Sequence, residues 1–131
     1  MKRLFVIGIL SASILSVSLY SFIGHVETDS LIEALKQGNA AEVSRYFDDI
    51  LDMKFPEKEE FKNIGKTQAG ITLKRFFEEA GINGFEKTNE RSTESTMYIN
   101  GKLHGSSKEY NLTIMLRIKE GKFYIVTFRV N

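Results

Sequence analysis

Three tyrosines and a histidine, Tyr98, Tyr110, Tyr124 and His104, are the side chains whose types and positions could serve a pocket. A phenol or imidazole at the rim of an apolar cavity can orient a neutral ligand or move a proton. Acid–base work needs more: an ionisable group on an otherwise apolar inner face, where burial shifts its pKa. Two alternating series close the chain, Leu112, Ile114, Leu116, Ile118 and then Tyr124, Val126, Phe128, Val130, and neither holds a carboxylate or a histidine. Tyr98, Tyr110 and Tyr124 are therefore assigned as candidate ligand-binding residues, and no catalytic residue is assigned. Tyrosines in such places more often hydrogen-bond within a core than act on a substrate.

Metal and phosphate chemistry find little to work with. His25 and His104 are the two histidines, cysteine is absent, and Asp48, Asp49 and Asp52 form the one acidic cluster of interest. A hard cation could use such oxygens, but acidic residues in a loop are usually solvated, and no metal or cofactor is assigned. Gly65-Lys66-Thr67 resembles the end of a phosphate-binding loop. The glycine required five positions earlier is Glu60, so the run reads instead as a helix N-terminus.

The first 24 residues stand apart. Lys2 and Arg3 are followed by Leu4 to Ile23 without a charge, the pattern of an export signal. Ser16 and Ser18 offer small residues for cleavage, and the serines and Gly8 lower the hydrophobicity expected of a permanent span, so a cleaved signal is preferred to a membrane anchor. An uncharged stretch of about 20 residues is nonetheless long enough to span a bilayer. Either way an exported, periplasmic or otherwise extracytoplasmic domain is expected. With Lys2 and Arg3 set aside, the 18 basic residues no longer outnumber the 17 acidic ones, which argues against a nucleic-acid partner. The missing cysteines exclude a lipoprotein start and a disulfide framework.

The elements that must position the tyrosines follow from periodicity. Ser30 and Glu33 have capping-box spacing, and Leu31, Ile32 and Leu35 share one helical face before Gly38. Asn39 can cap a second helix, Ala40 to Phe47. Ile50 to Phe55 alternates into a strand that Pro56 ends, with Glu57 to Asn63 as its hairpin partner. Gln68 to Ala80 predicts the longest helix, its apolar face formed by Ile71, Leu73, Phe76, Phe77 and Ala80 and its end marked by Gly81. Beyond Phe85 the period is two. Glu94 to His104 reads as one strand with a bulge or kink at Gly101, and two long antiparallel strands then meet at Glu120-Gly121. Four strands follow the long helix.

This order, with the runs Leu31-Ile32-x-Ala34-Leu35-x-x-Gly38-Asn39-Ala40, Ser44-x-Tyr46-Phe47, Gln68-Ala69 and Phe76-Phe77, resembles the DUF4783 family of exported bacterial proteins, within the nuclear transport factor 2-like (NTF2-like, cystatin-like) class. The resemblance covers nearly all of Ser30 to Val130. It implies an α+β cone over residues 28–131, with helices packed on a strongly bent antiparallel sheet and a pocket at the open end. Related families use that fold for small ligands, for isomerase or dehydratase chemistry, or for pairing subunits. The resemblance carries no catalytic residues with it. The expected function is non-catalytic binding of a small, neutral, apolar ligand or of a protein partner, with pairing of two copies through the sheet among the implied arrangements. An isomerase- or dehydratase-type enzyme is the alternative.

Overall fold

The computed structural model describes residues 28–131. The segment 1–24, read above as signal or anchor, lies outside the described residues. Residues 31–131 form one compact unit. Helix α1 occupies residues 28–36, so Ser30 lies inside the helix and is not its N-cap. Asn39 does cap α2 (Ala40–Ser44), its side-chain oxygen accepting from the Glu42 N–H at 3.1 Å. That helix stops before Tyr46 and Phe47, which the helical spacing had included. Ile125 N–H donates to the Tyr46 carbonyl at 2.7 Å, and Phe47 opens strand β1 (Phe47–Lys54), where its buried ring meets Phe128 edge-on. The sheet ladder outcompetes a third helical turn.

Strand β2 (Phe61–Gly65) pairs antiparallel with β1, Met53 facing Phe61 and Leu51 facing Ile64. The expected partner, Glu57 to Asn63, is thus displaced toward the C-terminus. The cause is the turn Phe55–Lys58, closed by Lys58 N–H to Phe55 O at 3.3 Å, with Pro56 at its first corner and Glu57 at a φ of 61°. Helix α3 (Lys66–Ala80) follows directly and ends at Gly81. Its buried stripe is Ala69, Leu73 and Phe77, four residues apart. Phe76 is half-buried, and Ile71, expected on the apolar face, points away from it and is 48% exposed.

The remaining strands are β3 (Gly84–Ser92), β4 (Thr96–His104), β5 (Glu109–Lys119) and β6 (Lys122–Val130). The order across the sheet is β2-β1-β6-β5-β4-β3, antiparallel except that β1 runs parallel to β6. A two-residue turn joins β5 to β6, with Glu120 and Gly121 both at positive φ, as a hairpin turn matching strand twist requires. Register shifts bend the sheet. One lies between Lys87 and Asn89, so the extra residue is on β3, opposite Gly101, and not at Gly101 itself, whose pairing with β5 is unbroken. Another inserts Val126 into β6 between the pairs Leu116–Ile125 and Met115–Thr127. The inner faces of the strands and the buried residues of all three helices form a single core.

Candidate functional site

Within residues 31–131 every fully buried side chain is apolar, with Phe47, Phe55, Phe128, Met53 and Leu73 among the largest. The core is therefore apolar, and three hollows open beside it. Two adjoining clefts flank the ring of Phe76. One, of about 190 Å³, lies between the Phe55–Lys58 turn, the last turn of α3 and the start of β5, reaching Glu57, Glu79, Lys108 and Tyr110. The other, of about 110 Å³, lies on the other side of Phe76 and is lined by Phe61, Gln68, Thr72 and Arg75. Both share Phe55, Lys58 and Phe76. Small-molecule sites usually measure about 300–1,000 Å³, so these clefts suit a compact ligand or one end of a longer one.

The rings at this mouth hold one another. Phe76 lies 4.9 Å from Phe55 and meets Tyr110 edge-on at 5.4 Å, centroid to centroid. Lys108 Nζ stands 5.2 Å from the centre of the Tyr110 ring. Local folding explains the grouping: the turn closed by Pro56 leaves Phe55 at the end of β1, while Phe76 is turned about 100° from the buried Phe77 along the helix.

A larger hollow of about 570 Å³ lies between the Gln37–Ala41 connection and α3. Its apolar floor, Phe77 and Ile82, is 4% and 7% exposed, and its rim is Gln37, Asn39, Lys74 and Glu78. Its size suits a ligand better than the clefts do, but Phe77 is the one ring in its lining.

The three candidate tyrosines are not brought together. Tyr110 lines the larger aromatic cleft. Tyr98 alternates with the buried Ile99 and so faces the outer side of the sheet, beside Met115 and 5.1 Å from the Arg91 guanidinium. Tyr124 also faces outward, opposite Arg117, because the extra residue Val126 reverses the alternation of β6: Phe123, Ile125, Phe128 and Val130 point to the core, not Tyr124 and Val126. His104 ends β4 with Nδ1 3.1 Å from Glu109 Oε1. Asp48 pairs with Lys119, which holds its carboxyl below the ordinary carboxylate range, against a smaller opposing effect of burial. Asp52 accepts from Asn63 N–H at 2.9 Å. Among the described residues no three His, Asp or Glu side chains gather to hold a metal. Gly65 is the N-cap of α3 and makes no side-chain cap bond.

Sequence reasoning did not single out Phe55, Phe61, Lys58, Arg75 or Lys108. A signal existed for Phe55 and Lys58, since Phe55-Pro56 marks the point where a strand must turn away from the sheet.

The family described as Domain of unknown function (DUF4783) matches residues 28–131. Crystal structures of DUF4783 family proteins are similar to the chain: that from Bacteroides uniformis has a TM-score of 0.73 at 21% identity, covering 79% of this chain and 94% of the other. That from Bacteroides ovatus has 0.72 at 21%, covering 77% and 90%. An NTF2-like protein of unknown function from Cytophaga hutchinsonii has 0.55 at 10%, covering 82% and 88%. At these identities the likeness speaks for the fold alone. Comparison with curated proteins finds no match.

Proposed function

The chain belongs to the DUF4783 family and has the NTF2-like α+β fold, and from this we propose that it is an exported, non-catalytic binding domain that takes a compact, mostly apolar ligand at the clefts beside Phe76. The observation that carries this reading is the ring cluster at the clefts, where the half-buried Phe76 rests on the buried Phe55 and meets Tyr110, so that Phe76 borders both clefts and Tyr110 the larger one. A ring edge or short alkyl group entering there loses apolar surface to water without burying a charge. NMR titration of the purified chain with benzyl alcohol tests it. Ring signals of Phe76 and Tyr110 should shift in a saturable way, and Tyr110→Ala should weaken the response. Shifts confined to other parts of the surface would sink the proposal.

A second reading has its own support. Among the described residues, the buried side chains of all three helices join the inner-face core, and no helix covers the outer face of the sheet, on which Tyr98, Met115 and Tyr124 are half-buried. A second copy of the chain is the partner that surface suits under this reading. Sedimentation should then give a dimer that Met115→Glu dissociates, and a monomer at all concentrations would end it.

A further inference from the structure

We propose that the narrower cleft beside Phe76 is a site for a small carboxylate with an apolar body. This deepens the ligand-binding reading and rests on it. The two clefts share Phe55, Lys58 and Phe76 but differ in charge. The larger adds Lys108 and two carboxylates, Glu57 and Glu79, so its signs balance. The narrower adds Arg75, with no carboxylate in its lining. Among the described residues neither Lys58 nor Arg75 is engaged in an ion pair. Two cations outside any ion pair thus line a cleft whose accessible rings are those of Phe61 and Phe76, with the buried Phe55 beneath them.

That combination selects an amphipathic anion. The rings accept the apolar body, the guanidinium of Arg75 offers the planar fork that matches a carboxylate, and Lys58 adds a point charge. The Thr72 hydroxyl is already committed to the Gln68 carbonyl at 2.8 Å, so the cations supply the recognition. Lys58 is held at the cleft by the turn closed on Phe55 O, with Glu57 at a φ of 61°. The inner faces of β5 and β6 hold no cation and belong to the apolar core. The cations at the mouth come instead from α3 and the turn after β1.

Both cations are exposed, so each pairing is worth a factor of a few and the two together about tenfold. The test compares benzoate with its neutral isostere benzamide, by NMR titration of the purified full chain. Benzoate should bind about tenfold more tightly, shifting Phe61 and Thr72, and the advantage should shrink as salt is raised. In the double variant Lys58→Gln, Arg75→Gln the ratio of benzoate to benzamide affinity should fall to within twofold. Equal binding of the two probes at these residues overturns the carboxylate inference and leaves the apolar-ligand reading standing. A benzoate preference that survives the double substitution also overturns it. Failure of both probes to shift any residue of the clefts removes the two readings together.

Discussion

The ring of Phe85 on β3 lies across Gly101 on β4, so closely that a Cβ at Gly101 would stand 2.5 Å from two of its atoms and 2.4 Å from the Glu86 carbonyl. Glycine is required there for space. Gly101→Ala should cost about 1–3 kcal/mol, the usual range for overpacking. Phe85→Leu in the same chain should recover part of it, because the two changes share one contact. Urea unfolding of the single and double variants measures both. An unchanged midpoint for Gly101→Ala would show that the ring does not rest on the glycine.

The reversed alternation of β6 is testable at adjacent positions. Ile125 is fully buried and Tyr124 is on the outer face, so Ile125→Ala should cost about 2–5 kcal/mol. Tyr124→Ala should cost about 1 kcal/mol or less. The opposite ranking would mean that β6 runs without its bulge.

Helix α3 makes a similar division between neighbours. Phe77 is 4% exposed and Phe76 is half-buried against Phe55 and Tyr110. Phe77→Ala should cost about 3–5 kcal/mol, and Phe76→Ala about 1–2 kcal/mol from its lost ring contacts. Losses under about 1 kcal/mol at both sites would detach the helix from the core.

Asp48 predicts a pH effect. Its carboxyl is held low, first by the hydrogen bond from Lys119 and also by the Asp49 N–H at 2.9 Å. A lowered folded-state pKa contributes stability above the unfolded carboxylate value, and that contribution is lost as pH falls through the folded value. Lys119→Met should raise the Asp48 midpoint toward the ordinary range in a carboxyl NMR titration and flatten the acid limb of stability. An unmoved midpoint would assign the shift to another cause.

These cases also show what the sequence could and could not convey. Long periodic elements were legible: α3, the β5–β6 hairpin with its Glu120-Gly121 turn, and the Asn39 cap all depend on local chemistry. Phe47 was misread because its helical spacing is as good as its strand pairing, and only Ile125, distant in sequence, decides between them. Val126 carries no turn or glycine signal, so the period-two reading ran through it and placed Tyr124 inward. Of the three candidate tyrosines only Tyr110 lines a described cleft. The rest of that site comes from a turn and a helix flank, where spacing says little about which side chains will meet.

The sheet order has a consequence for how the chain assembles. Strand β6 follows the other five in sequence, yet it lies between β1 and β5 and joins the two halves of the sheet. Until it is in place, β1 and β2 are a two-stranded hairpin with α3 against it, which is marginal in water without further strands, and the buried Phe47 and Met53 lack the strand they pair with. Pairing over so long a stretch of chain is slow. During synthesis the first half is thus committed last, with its apolar surface open to other chains. A folding helper would be needed most in the interval before Phe123–Val130 arrives, and substitutions that slow that arrival should lower yield more than they lower final stability.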